Sequence, residues 1–157
     1  MSVWGPDGLV SRPGEGIRIE MGEHGMEVLA RSTQTDGQFG VFDFRHGPIE
    51  ANPPHAHLGF AKVLYVLEGH YDFRVGDIES SGGPGTVVVV PRGSQHTFTT
   101  TGGRILFVCS PAGNEEMFIE LDAAGPEVTP EQISDITARW QTVSPPGEAA
   151  LPWRPRP

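Results

Sequence analysis

The stretch Gly85-Thr86-Val87-Val88-Val89-Val90-Pro91-Arg92-Gly93-Ser94-Gln95-His96 decides how this 157-residue chain folds. Its four consecutive valines favour a strand, because β-branched side chains suit a pleated surface. Pro91 and Gly93 predict a tight turn directly after that strand. The stretch therefore predicts a strand, a tight turn and a returning strand that begins with a histidine, His96.

The rest of the chain repeats this rhythm of short strands and turns. It contains 21 glycines and 15 prolines, a high share that is typical of many strands joined by tight turns. From Met26 onward, short apolar runs alternate with turn signals, which predicts one all-β domain. We expect strands near residues 26–32, 39–45, 62–68, 70–75, 86–90, 95–101 and 104–109.

The flanking segments differ from this pattern. Residues 1–25 begin with closely spaced glycines and prolines and are predicted to form an irregular arm before the barrel of residues 26–110. Residues 111–143 predict a helical segment, in which Thr129 caps a helix that has Pro130 at its first position. The last residues, 144–157, form a proline-rich tail that favours an extended conformation.

Composition and charge exclude several classes of partner. The net charge of −9 disfavours a nucleic acid or an anionic membrane surface, because both bind to positive patches. Cys109 is the single cysteine, which excludes an intrachain disulfide and suits a reducing compartment. The chain shows no signal-peptide pattern, and Val87 to Val90 is far too short to cross a bilayer. We therefore expect a cytoplasmic protein with no membrane partner.

Two further histidines precede the stretch from Gly85 to His96. His55 and His57 are two residues apart, so on one strand their rings project to the same face at a separation that one metal ion can bridge. A bare pair of this kind is more often two ordinary surface or packed histidines. The presence of a third histidine, His96, after the turn favours a metal site instead.

These two regions resemble the two sequence motifs of the cupins. In the second motif a glycine is followed after five residues by Pro-x-Gly and then, after two more, by a histidine, and Gly85 to His96 match every one of these positions. Only the asparagine at the end of that motif is replaced, by Thr100. In the first motif His55, His57 and Gly69 match, whereas Lys62 stands where the family has a glutamate ligand.

The resemblance spans roughly residues 26 to 147 and carries expectations of fold and site. Ser110-Pro111-Ala112-Gly113 before a helix is similar to the quercetin dioxygenase-like branch of single-domain cupins. The resemblance implies a double-stranded β-helix, or jelly-roll barrel, with one or two short C-terminal helices, and a homodimer. It further implies that His55, His57 and His96 bind a divalent transition metal: iron, nickel, copper, manganese or zinc.

Lys62 leaves four alternatives open. It is the only lysine in the chain, beside ten arginines, which sets it apart from an ordinary surface lysine. It could be neutral and act as a general base, or stay charged and pair with an anionic substrate. It could also turn away to a carboxylate and leave a three-histidine site, or mark a cupin that has lost its metal. We assign Lys62 as the candidate catalytic residue.

The alternating aromatic residues predict the walls of a substrate pocket, although such residues also build barrel cores. The pocket candidates are Phe42, Phe44, Phe60, Phe98 and Phe107. The leading hypothesis is a dioxygenase-like metal enzyme acting on a small anionic aromatic or enolisable substrate. A non-redox cyclase, isomerase or lyase and a metal-free binding protein are the alternatives. His24, His46 and His70 lie outside the motifs and are expected at the surface or at strand ends.

Overall fold

A computed structural model of the chain describes residues 8–21, 23–50 and 53–144. Strands are the most common element among these residues, as the alternating apolar pattern predicts. The strands are β1 (Ile17–Met21), β2 (His24–Ala30), β3 (Gly40–His46), β4 (Ala56–His57), β5 (Ala61–Val75), β6 (Ile78–Gly82), β7 (Val87–Val90), β8 (His96–Ser110) and β9 (Thr142–Val143).

Two long strands, β5 and β8, organise the fold. They pair with each other in antiparallel fashion along most of their fifteen residues. Their pairing register shifts between Val66 and Glu68 and again between Gly69 and Tyr71, and such bulges bend a sheet. Gly69 has a φ of +89°, and a Cβ there would lie 2.3 Å from the carbonyl oxygen of Gly102. This corner therefore requires glycine.

The bent sheet wraps around one apolar core. Its strand order is β1-β2-β3-β8-β5-β6, with β7 paired to the first half of β5, and a separate two-stranded sheet joins β4 to β9. The inward residues of β2, β3, β5 and β8 alternate with outward ones, so one face of each strand is buried. Phe42 and Phe107 stack in this core with ring centroids 4.8 Å apart.

Two helices, α1 (Asn114–Ala123) and α2 (Pro130–Arg139), follow the strands. The predicted cap of α2 is confirmed, because Thr129 accepts a hydrogen bond from the backbone N–H of Gln132 at 3.2 Å. Met117 and Leu121 of α1 are fully buried against the sheet. Among the described residues, no helix is long and apolar enough to cross a membrane.

Several predicted boundaries differ from the structure. Ile17–Met21 form strand β1, inside the stretch 1–25 for which the sequence predicts an irregular arm. Ile17, Ile19 and Met21 do alternate there with polar residues, but the prediction rests on the glycines and prolines that precede them. The predicted strands 62–68 and 70–75 are one strand, as are 95–101 and 104–109, since the sheet continues through its bulges. The tail from 145 to 157 lies outside the described residues.

Candidate metal centre

His55, His57 and His96 meet inside the sheet. One ring nitrogen of each lies within 4.8 Å of those of the other two, and all three side chains are buried. Backbone pairing produces this meeting: the N–H of His96 donates to the carbonyl of His55 at 2.9 Å, and the reverse bond measures 3.2 Å. In the predicted turn, the N–H of Gly93 donates to the carbonyl of His57 at 2.8 Å. The turn between β7 and β8 thus places His96 next to the His55-x-His57 pair, although β7 and β8 each pair with β5 and not with one another.

The outward-facing nitrogens of these rings are fixed by hydrogen bonds. Nδ1 of His55 lies 3.1 Å from the carbonyl of Pro53, and Nδ1 of His96 lies 3.1 Å from the carbonyl of Ser94. A carbonyl only accepts, so each Nδ1 carries the proton and each Nε2 keeps its lone pair. This is the tautomer that metal-binding histidines adopt.

The third ring is oriented by the C-terminal segment. Nδ1 of His57 lies 2.9 Å from Oγ1 of Thr142 in β9, and that hydroxyl in turn donates to Sδ of Met117 at 3.5 Å. Because the hydroxyl proton is directed to sulfur, its oxygen accepts from His57. Thr142 is 85 residues away from His57 in the sequence, and no motif marks it. Sequence reasoning therefore could not find this contact.

Burial keeps all three imidazoles neutral. Desolvation is the largest cause, and the positive charge of Lys62 adds to it. Together they lower the pKa of His55 to about 4 and that of His96 to about 2. The pKa of His57 is lowered further still. Neutral rings with inward lone pairs are what a divalent transition metal requires.

The donor set fits such a metal. Among the described residues, Nε2 of His96 is buried and has no hydrogen-bond partner. A buried polar atom without a partner is costly, so it needs a ligand to satisfy it. His55, His57 and His96 would hold the ion, and a set of three neutral imidazoles leaves coordination positions open.

Lys62 points inward, next to these histidines. Its Nζ lies 3.2 Å from Nε2 of His57 and 5.0 Å from the ring centroid of Phe107, and its side chain is 6% exposed. Burial lowers the pKa of Lys62 to about 8. Because Nδ1 of His57 carries the proton, Lys62 donates to Nε2 of that ring. The alternative in which Lys62 turns away to a carboxylate is wrong, since its amine makes no salt bridge within the described part of the chain.

A cavity with a free volume of about 90 Å³ adjoins the histidines. Four of the five predicted pocket residues, Phe42, Phe44, Phe98 and Phe107, line it. Phe60 does not: its ring stacks on His57 with centroids 4.5 Å apart, so it supports a candidate ligand from behind. The full lining is Met21, His24, Met26, Phe42, Phe44, Ile49, His55, His57, Lys62, Phe98, Phe107, Asn114 and Phe118.

His24, the first residue of β2, and His46, the last residue of β3, lie at strand ends as expected, but both face the interior. His46 is buried: its Nδ1 donates to the carbonyl of Gly47 at 3.0 Å, and its Nε2 accepts from the hydroxyl of Tyr71 at 2.7 Å. His24 lines the cavity beside Phe44. The inward direction of His46 could have been predicted from the sequence, because His46 continues the period-two face of Phe42 and Phe44.

Comparison with known proteins finds a family match over part of the chain. Residues 42–109 match the cupin domain family. No curated protein sequence shows significant similarity to the chain.

Solved structures show the same fold. KdgF from Halomonas sp. is 14% identical with a TM-score of 0.60, over 69% of this chain and 98% of its own. An RmlC-like cupin from Shewanella frigidimarina is 20% identical with a TM-score of 0.59, over 68% and 93%. The polyketide cyclase RemF from Streptomyces resistomycificus is 26% identical with a TM-score of 0.54, over 65% and 78%. The expected cupin jelly roll with short C-terminal helices is confirmed.

Proposed function

We propose that this chain, whose residues 42–109 match the cupin domain family, is a metal-dependent cupin enzyme that acts without net redox change on a small anionic aromatic or enolisable substrate. The observation that carries the proposal is the convergence of three neutral imidazoles whose outer nitrogens are all anchored. When bound there, a divalent ion supplies Lewis-acid polarisation of a substrate oxygen.

The residues around the histidines suit an anionic ligand. Lys62 is the buried cation of the cavity wall, and its ammonium can donate a hydrogen bond to an enolate, phenolate or carboxylate oxygen. Phenylalanines cover much of the remaining wall, and an apolar surrounding strengthens that charge interaction. In this role Lys62 binds the substrate and stabilises negative charge that develops on it.

The proposed reaction class rests on the position of the Lys62 amine next to the three histidines of the candidate metal centre. A cyclase, isomerase or lyase needs a group that stabilises an enolate, and Lys62 supplies one. The similarity to the polyketide cyclase RemF supports this class over the dioxygenase. A dioxygenase keeps one supporting observation: three neutral ligands with no carboxylate leave open positions for an oxygen molecule. Oxygen consumption during turnover separates the two classes.

A metal-free binding protein is the second candidate function, and one contact favours it. The amine of Lys62 lies 3.2 Å from Nε2 of His57, the atom that a metal would need. An ion and this ammonium repel each other: two unit charges 4 Å apart cost about 4 kcal/mol at an effective dielectric of 20, and a divalent ion doubles that. A bound ion would therefore oppose the charged form of Lys62 at the position that its amine holds in this structure.

Metal analysis of protein purified without a histidine tag tests the proposal. We expect about one divalent ion per chain, retained or loaded, and His96→Gln should weaken its binding about 100-fold or more. Loss of a group that merely orients a ligand costs 10–100-fold, and His96 is a direct candidate ligand. His70→Gln is the matched control, because His70 is exposed and outside the site. Calorimetric titration with Zn²⁺ measures both.

Lys62→Glu makes the same test sharper. A carboxylate at this position supplies a fourth ligand and removes the opposing charge, so the affinity for Zn²⁺ should rise by more than tenfold. If wild-type protein with all three histidines intact neither retains nor takes up a metal, the enzyme proposal is wrong and the metal-free binding protein stands. Turnover of an enolisable substrate without oxygen supports the non-redox class.

A further inference from the structure

The cavity contains a polar group that the proposed function does not use. Asn114 is the first residue of α1, its side chain is 2% exposed, and it lines the cavity. Within the described part of the chain, its Oδ1 is buried and has no hydrogen-bond partner. Leaving a buried acceptor unpaired costs about 1–3 kcal/mol, so such an atom in a cavity wall calls for a ligand.

The neighbours of Asn114 hold it there without satisfying it. The next residue, Glu115, accepts hydrogen bonds from the backbone N–H groups of Ser32 and Gly113, at 3.1 and 3.0 Å. These bonds fix the start of α1 against the sheet. The start of α1 thereby places the carboxamide of Asn114 at the cavity wall, while the carboxylate of Glu115 beside it is satisfied by these backbone hydrogen bonds.

Asn114 and Lys62 belong to the same end of the cavity. Cys109 is the cross-strand partner of Lys62, and its Sγ donates to Oε2 of Glu115 at 3.2 Å, one residue from Asn114. Lys62 therefore approaches Cys109 from strand β5, and Asn114 approaches it from the helix. One small ligand can contact both side chains.

His24 provides an internal comparison. Its Nδ1 is also buried without a partner, again among the described residues, and it lines the same cavity. However, it lies beside His46, at the opposite end of β3 from Gly40, the cross-strand partner of Cys109. His24 is thus displaced along the strand from Lys62 and Asn114.

We propose that Asn114 is a specificity-determining residue that accepts a hydrogen bond from a ligand hydroxyl, while Lys62 binds an anionic oxygen of the same ligand. The ligand class is accordingly a hydroxylated aromatic acid or a phenol with a second hydroxyl. The proposal rests on the proposed function for its anionic oxygen alone.

Binding of benzoate and its three monohydroxy isomers to the metal-free protein tests this inference. We expect at least one hydroxybenzoate to bind about fivefold more tightly than benzoate, the gain of one net hydrogen bond. Asn114→Leu should abolish this preference while benzoate itself still binds, whereas His24→Leu should retain it. Calorimetry or ligand-observed NMR gives the dissociation constants. An unchanged hydroxyl preference in Asn114→Leu, or an equal loss in His24→Leu, overturns the assignment.

Two further arms separate this inference from the proposed function. Lys62→Met should weaken the binding of all four acids to a similar extent. If it does not, Lys62 does not bind the anionic oxygen, and the hydroxyl preference assigned to Asn114 can still be measured. If no acid binds to the wild type, the urea midpoint of Asn114→Leu decides the role of Asn114. A midpoint at or above that of the wild type supports a ligand-binding role, because a structural carboxamide is costly to replace. A clear fall overturns it.

Discussion

Two clusters of buried or half-buried charged and polar groups occur in this fold, and they differ in how completely their atoms are hydrogen-bonded. The first is the candidate metal centre of His55, His57, His96 and Lys62. The second, which we call the helix anchor, consists of Arg31, Ser32, Cys109, Glu115 and Glu116. In the anchor each carboxylate accepts several hydrogen bonds, whereas His96 in the centre keeps a buried nitrogen without a partner among the described residues.

The anchor shows what buried polarity looks like when its role is structural. Glu116 receives a two-pronged bond from Arg31, at 2.9 and 2.6 Å, and a third from the hydroxyl of Ser32 at 2.6 Å. Glu115 is fully buried and joins the loop at Ser32, strand β8 at Cys109 and the start of α1. A satisfied network of this kind rigidifies a fold, whereas a buried polar group left without a partner is costly and needs a separate explanation.

The largest effect should follow from breaking the anchor. Glu115→Ala removes an acceptor shared by two backbone N–H groups and the Cys109 thiol, and leaves a void where nothing can rearrange easily. We expect a loss of about 3 kcal/mol in the free energy of unfolding. Urea denaturation measures it, with the exposed Glu127→Ala as a control that should change little. A loss below about 1 kcal/mol would show that the anchor is not structural.

The sequence predicted the metal centre better than its surroundings. His55, His57 and His96 are encoded by local spacing, since a period of two and a tight turn fix where their rings point. Thr142 and Asn114 reach the centre only through the packing of the C-terminal segment, which no local pattern specifies. The contact made by the amine of Lys62 could not be predicted for the same reason. Its position in the strand determines which face of the sheet it lies on, but not which group its amine contacts.

The fold shows the same division. Strands rich in valine and phenylalanine were predicted, as was the capped helix at Thr129. Short or polar strands were not predicted. An example is β6, of sequence Ile-Glu-Ser-Ser-Gly, which has no apolar alternation and forms by pairing with β5. Assembly as a homodimer and a cytoplasmic location stay predictions.

A second, smaller effect should appear in the pH dependence of stability. Burial by itself would raise the pKa of Glu116, but hydrogen bonds from Arg31 and Ser32 outweigh it and lower that pKa below its usual value. A lowered pKa in the folded state adds stability above the ordinary value near 4.3, and this is lost as the pH falls through the folded value. Arg31→Gln should therefore cost about 1 kcal/mol at pH 7 and less near pH 3.

The test is the gap between wild type and Arg31→Gln in urea denaturation at both pH values. Arg12→Gln is the control, since Arg12 is exposed and forms its salt bridge with Glu15, three residues further along the chain. A gap that stays constant with pH contradicts the proposed link between Arg31 and Glu116.

The smallest effect on stability should come from the other cluster, by Lys62→Met. An ammonium that is almost fully buried is costly to desolvate, and an unbranched apolar side chain of similar length restores packing against Phe107. The variant loses one hydrogen bond to His57, worth about 1 kcal/mol, so the two terms offset each other. We expect the free energy of unfolding, measured with a chelator present, to stay within about 1 kcal/mol of the wild type or to rise. A loss as large as that of Glu115→Ala would place Lys62 among the structural groups and remove the contrast between the two clusters.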